Sequence, residues 1–329
     1  MDSMIRAANL VNWTPIRFYR HRSTPFVDWC EMGEQRFTDP FFDQTVERRF
    51  DHPFSLLFRP QTSVEVLEEL AELNPGLRPR GFIFHMSRCG STVISRMLAA
   101  LPQNIVVSEA GAIDSVLRAR FGNMRATDER CIVWLKAMLS ALGQRRHQDE
   151  QNFFIKFDGW QTLSLPLVRR AYPDVPCVFV YRDPVEVIVS HQRRTAHWMF
   201  PGNLAPDILG LEASAVLPMK REEYFARVLG RICQAALENL RQGPVLLINH
   251  KQLSEGVTSS FLKFFQVSYT EAETRRMTLT TQFYAKETSL NYLYDGEEKR
   301  AEANDFVRQE ADKWVAAFYE RLESRALLD

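Results

Sequence analysis

The chain of 329 residues contains no run of eighteen apolar residues, so no segment is expected to insert into a membrane as a helix. Its first twenty residues, broken up by Arg6, Asn12, Arg17 and Arg20, lack the apolar centre of a signal peptide, which makes the cytoplasm the expected compartment. Cysteine is scarce. Cys30, Cys89, Cys131, Cys177 and Cys233 form an odd set without a Cys-x-x-Cys pair, which argues for reduced thiols and against a disulfide framework or a zinc site. The seven histidines show no metal spacing and no His-Glu-x-x-His, so no metal is expected. Neither sign of charge dominates, with 41 Lys plus Arg against 41 Asp plus Glu, which argues against a nucleic-acid coat or a polybasic membrane anchor. Repeats and low-complexity tracts are also absent. A content of 45% hydrophobic and 25% charged residues suits a soluble enzyme built around one large domain.

The most informative stretch runs from Gly81 to Ser95, where a short apolar strand ends in a small, polar, glycine-bearing turn that opens into a helix. Arg88, Cys89, Gly90, Ser91, Thr92 and Val93 form a phosphate cradle: helix N-terminal amides and the positive end of the helix dipole, with hydroxyl and guanidinium donors around them. No lysine follows Gly90, so the loop lacks the group that reaches the outer phosphates in nucleoside-triphosphate P-loops. The plainer reading of such a junction is helix capping alone. A second segment, Val175 to Arg194, repeats the pattern of buried strand, proline-bearing turn and helix. It places Arg182 at a strand end, Ser190 eight residues on, and Arg194 one helical turn beyond Ser190 on the same face.

Strands alternate with helices along the rest of the chain. Strands are predicted at Gly81–His85, Asn104–Ser108, Phe153–Phe157, Val178–Tyr181 and Val245–Asn249. Helices are predicted at Thr92–Leu101, from about Ala112, at 128–143, Thr162–Ala171, Val185–Arg194, 221–241 and 257–265. That alternation implies an α/β fold with a central parallel sheet flanked by helices in three layers. Residues 1–79 read as an aromatic-rich N-terminal extension, irregular or in short strands because of Pro15, Pro25, Pro40 and Pro53. A leading helix is opened by a capping box, Thr62-Ser63-Val64-Glu65, and continues through Leu67, Leu70 and Leu73; residues 80–329 form the α/β domain. The proline- and glycine-bearing stretch 195–219 reads as a long loop and a candidate lid over an acceptor. A final helix, about Asn304–Leu322, carries a core-packing stripe of Phe306, Ala311, Trp314, Phe318 and Leu322.

Arg88 before Cys-Gly-Ser-Thr, and Arg182 with Ser190, resemble the two signatures of sulfotransferases that use 3′-phosphoadenosine-5′-phosphosulfate (PAPS); the resemblance covers roughly residues 80–295. It implies a P-loop-type fold, a 5′-phosphosulfate bound by the first loop, and a 3′-phosphate bound by Arg182 and Ser190. Spacing is closest to the tyrosylprotein sulfotransferase branch, in which a glutamate follows the loop arginine by twenty-one residues and a lysine precedes the second arginine by twenty-six. Arg88 to Glu109 and Lys156 to Arg182 reproduce both intervals. By that resemblance Glu109 is the general base and Lys156 the cation at the leaving oxygen, with Arg88 assisting. An unpaired glutamate in a dry site would have a raised pKa. Cytosolic sulfotransferases use a histidine in a Lys-x-His pattern. Here Asp158 stands at that position in Lys156-Phe157-Asp158, either as a second carboxylate of the site or as the turn Asp158-Gly159. Lys286 and Ser289, in a stretch without the family's glycine, are the nearest match to its nucleotide-closing basic loop.

Several residues carry two readings. Cys89 is either a thiolate favoured by Arg88 and the helix N-terminus or, more plainly, a small residue filling a tight turn. His85 and His191 lie beside the phosphate motifs but are more plainly structural, His197 is a candidate to face the acceptor, and the stretch after Val245–Asn249 is read as structural. The expected function is metal-free, in-line sulfuryl transfer from PAPS, releasing 3′-phosphoadenosine-5′-phosphate (PAP), to a small-molecule or peptide hydroxyl. Sulfation that activates a β-hydroxy carboxyl compound for elimination, a P-loop kinase and a non-catalytic nucleotide-binding scaffold are the alternatives; no nucleic-acid partner is expected, and acceptor and oligomeric state stay open.

Overall fold

A computed structural model describes residues 7–240, 242–254, 257–280 and 295–326. The N-terminal segment opens with an antiparallel hairpin, β1 (Trp13–His21) and β2 (Thr24–Glu31), joined at Arg22, whose φ of 55° meets the demand of a two-residue turn. β3 (Gln61–Ser63) adds to β2 and completes a three-stranded sheet. The prolines do not keep these strands short: β1 has nine residues and β2 eight. Pro15 lies on the edge strand β1 beside a register shift, a position that needs no ladder N–H. The inner face buries Phe18, Val27 and Trp29, and Phe18 meets Trp134 of the helix Asp128–Leu142 at 5.3 Å.

The helix Val64–Leu73 starts after Ser63, which makes no side-chain cap, and the expected capping box is not formed. Thr62 belongs to β3 instead, and its hydroxyl accepts a 2.9 Å hydrogen bond from the indole N–H of buried Trp29. Leu67 and Leu70 are buried against the core while Leu73 is exposed at the helix end.

The larger sheet contains β4 (Pro79–His85), β5 (Asn104–Ser108), β6 (Asn152–Lys156), β7 (Cys177–Tyr181) and β8 (Val245–Asn249) in the order β5-β6-β4-β7-β8, every pair parallel. This is the expected mixed α/β architecture of a five-stranded parallel sheet flanked by helices. Its central strands are buried except at Arg80 and Asn152 near their starts, as covering on both faces requires. Phe84 and Phe157 stack 4.4 Å apart and nearly parallel under the central strands. The chain leaves β4 through the helix Ser91–Ala99 toward β5, and leaves β7 through the helix Pro184–Arg193 toward β8 on the other side. Connections that diverge from two neighbouring strands open a crevice between their carboxyl ends, the usual binding position in such sheets.

Two predicted elements differ. The stretch 195–219 is not an open loop: it forms the short turns His197–Met199, Pro206–Leu209 and Ala213–Val216, pinned by buried Trp198, Met199, Leu204, Leu209 and Val216. The final helix is interrupted by a π-helical turn at Asp312–Ala316, between Asp305–Ala311 and Ala317–Ala326. Of its predicted stripe, Ala311 and Leu322 are buried and Trp314 and Phe318 pack half-buried against the core, whereas Phe306 lies outside it under Lys220, 4.5 Å from the ring, and Val315, not in the stripe, is buried instead. Because Phe84 is fully buried one residue before the cavity-lining His85, Phe84→Ala is expected to cost about 3–5 kcal/mol. A shift of the urea midpoint at unchanged slope would measure it.

Candidate active site

Two loops at the carboxyl ends of β4 and β7 bound a cavity of about 460 Å³. In the first, Ser87, Arg88 and Gly90 take positive φ values of 79°, 50° and 84°, which turns the chain sharply so that the helix Ser91–Ala99 points its N-terminus into the cavity. Left-handed backbone at non-glycine residues costs energy and clusters at functional sites. Gly90 is required twice over, by its φ and because a Cβ there would lie 2.6 Å from Leu253 and 2.8 Å from His250. Burial and the neighbouring Arg182 hold the His250 pKa down to about 4. The ring is therefore neutral, and its Nδ1, 3.0 Å from the Cys89 carbonyl, donates to it. Gly90, Ser91, Thr92 and Val93 line the cavity, and the first-turn amides of Ser91 and Thr92 have no intrahelical partner by the geometry of a helix start. The Cys89 thiol points the other way, donating to the Val180 carbonyl at 3.1 Å, and burial pushes its pKa up to about 11. It fills a tight turn and is not a thiolate.

The second loop is built around Arg182. Asp183 caps the helix Pro184–Arg193, accepting from the amides of Val185 and Glu186. Arg182 donates through Nε to Glu186 at 2.7 Å and through Nη2 to Asp295 at 2.5 Å. Arg88 Nε donates to Ser190 Oγ at 3.0 Å, so the two loops are tied by a direct hydrogen bond. Arg194 caps the helix in extended backbone and, with Ser190, lines the cavity. His191 is buried outside the cavity, accepts from the Ala196 amide and packs on Phe225, the structural alternative. His85 and His197 both line it. Lys286 and Ser289 fall outside the described residues.

Glu109 lines the cavity and meets Lys156, which lies buried behind the lining. Lys156 ends β6, is 1% exposed, and donates from Nζ to Glu109 Oε1 at 2.5 Å and to Thr92 Oγ1 at 3.2 Å, with the Phe41 ring 5.1 Å away. Glu109 follows β5 at a φ of 55°, held by its amide bond to the Lys156 carbonyl at 2.8 Å. His85 Nδ1 accepts from the Ser87 amide, which puts a neutral ring's proton on Nε2, 3.4 Å from Glu109 Oε1. Burial alone would raise the Glu109 pKa, as expected for an unpaired acid. The acid is paired, and Lys156 and then His85 outweigh burial and hold it below the carboxylate range. Asp158 is shifted the opposite way, well upward, by burial and by the Glu109 charge. Their surroundings therefore push the proton affinities of the two carboxyls in opposite directions, the kind of separation on which acid and base roles rest. Asp158 also forms the anticipated turn, accepting from the Gly159 amide at 2.6 Å within a capping box closed by Gln161. Ligating atoms of His85, Glu109 and Asp158 lie within 4.8 Å of one another, close enough for a cation. Lys156 already supplies positive charge at that point.

Sequence reasoning missed Phe41 and Asp43 from the N-terminal segment, and Asp295 and Lys299 near the C-terminus, all of which line the cavity. None sits in a strand-end pattern that could have revealed it. Removing the ammonium by Lys156→Met is expected to raise the Glu109 pKa above the ordinary carboxylate value, since burial then acts unopposed except by His85. Carboxyl titration by carbon NMR would read that upward shift, and a pKa left unmoved would contradict the pairing.

Among solved structures, the chain is similar to the sulfotransferase domain from the curacin biosynthetic pathway (14% identity, TM-score 0.42, covering 76% of this chain and 98% of that one). It is also similar to a sulfotransferase from Alicyclobacillus acidocaldarius (16%, 0.38, 74% and 96%) and one from Mycobacterium avium (12%, 0.41, 78% and 79%). No curated protein sequence matches it. Residues 79–216, which carry both strand-end loops together with Glu109 and Lys156, match the Sulfotransferase family.

Proposed function

We propose that the protein is a PAPS-dependent sulfotransferase, of the class that moves a sulfuryl group to a hydroxyl. The observation that carries the reading is the pair of anion-binding loops joined by the Arg88–Ser190 hydrogen bond directly above the Glu109–Lys156 pair. The first loop would hold the 5′-phosphosulfate on the Ser91 and Thr92 amides and Arg88; Arg182, Ser190 and Arg194 would hold the 3′-phosphate. The acceptor hydroxyl gives its proton to Glu109 as its oxygen bonds to sulfur. The bond from sulfur to the bridging oxygen breaks, and PAP leaves with its growing charge met by Lys156 and Arg88.

The Lys156 contacts suggest how a weak base becomes competent. Its ammonium touches Glu109 and Thr92 at once, and Thr92 belongs to the phosphosulfate cradle. A donor anion at the cradle draws the ammonium toward itself, and Glu109 gains proton affinity as that contact loosens. The spacing shared with the tyrosylprotein branch supports the same two roles. The acceptor end of the cavity carries Asp43 at its rim, Asp158 and Glu109 within, and the rings of Phe41, His197 and Trp198. The rings suit a neutral hydroxyl acceptor, and Glu109, whose pKa is held low, disfavours a carboxylate beside the reacting oxygen, which weighs against a free β-hydroxy acid.

Calorimetric titration is expected to show micromolar binding of PAP that Arg182→Ala removes; preference for ATP with magnesium would overturn the reading. Glu109→Gln is expected to leave PAP affinity near normal and lower turnover roughly a hundredfold or more. Because Lys156 and His85 hold the Glu109 pKa low in the ligand-free protein, the acidic limb of kcat/KM for the donor is expected below the ordinary carboxylate range, the limb of kcat above it in pH because the bound donor loosens the clamp, and the kcat/KM limb is expected to rise in Lys156→Met.

A further inference from the structure

Asp295 enters the cavity from the N-cap position of the helix Gly296–Glu302, and its side chain makes no cap bond there. One carboxylate oxygen accepts from Arg182 Nη2 at 2.5 Å and the other lies 2.6 Å from Lys299 Nζ. Lys299 also lines the cavity. Both cations are almost fully buried, at 5% and 6% side-chain exposure, while Asp295 is 33% exposed. The other carboxylate on Arg182 is differently placed. Glu186 is 1% exposed, grips Arg182 Nε, and is held in turn by Arg300. The helix that carries Asp295 is fastened to the helix Pro184–Arg193 by Arg193 with Glu298 and Glu302, and by Arg300 with Glu186. Asp295 can therefore turn away from Arg182 by side-chain rotation while its helix stays anchored.

We propose that Asp295 is a specificity-determining residue, an internal anion that competes with ligand phosphate for Arg182 and Lys299; the inference rests on the donor reading given above. A phosphate tethered to a nucleotide already held by the first loop has a high effective concentration at Arg182 and brings two negative charges, so it displaces the single carboxylate. Free inorganic phosphate has no such tether and is kept out. The same competition loosens the grip on the nucleotide product.

The test is calorimetry on the full chain with PAP and with 5′-AMP, which lacks the 3′-phosphate, with and without millimolar inorganic phosphate at matched ionic strength. Asp295→Asn keeps the shape and a hydrogen-bond acceptor but removes the charge; Asp295→Ala is the second variant, and thermal melting verifies that each is folded. The expected result is PAP bound about tenfold more tightly by the variants, AMP affinity within about twofold of the parent, and a gain for PAP that inorganic phosphate cancels in the variants only. A structural role for Asp295 would weaken PAP or leave it unchanged, and either result in a folded variant overturns the inference. An unaltered protein that does not distinguish PAP from AMP overturns the donor reading and this inference with it.

Discussion

A parallel sheet brings every strand end to one edge, and its connecting helices start there with unpaired amides. That constraint organises the molecule. Because β4 and β7 are neighbours whose chains depart in opposite directions, two helix starts stand side by side over one crevice. Two anionic groups could be met there without excess positive charge elsewhere, so a formal charge of zero is compatible with the anion site proposed. The Arg88–Ser190 hydrogen bond then makes one site of the two loops.

The buried ammonium of Lys156 imposes the second requirement. A cation at 1% exposure must have a partner, and Glu109 supplies the charge while Thr92 supplies an oxygen. Base, cation and cradle are consequently one electrostatic unit. Beside them, burial and then the Glu109 charge raise the proton affinity of Asp158.

The sheet and both strand-end loops were legible because local pattern carries them: continuous apolar runs of three to five residues, each followed by a polar turn and a helical period. The Glu109–Lys156 pair was legible only as spacing. That Glu109 and Lys156 are partners depends on β5 and β6 being neighbours, which no local pattern states. The same holds for the misread capping box, where Trp29, 33 residues away, takes the hydroxyl that was expected to cap a helix. Phe41, Asp43, Asp295 and Lys299 were invisible for that reason: tertiary packing alone brings them to the cavity.

Phe41 and Asp43 belong to a segment whose strands pair among themselves in a three-stranded sheet separate from the five-stranded one, among the described residues. The part of the cavity wall formed by Phe41 and Asp43 and the two strand-end loops are thus built from different parts of the chain, with no shared ladder of hydrogen bonds among the described residues. On the proposed function, substitutions in the N-terminal wall would retune which hydroxyl is admitted while leaving the two loops unstrained. Such an arrangement gives one catalytic frame room to diversify in what it modifies.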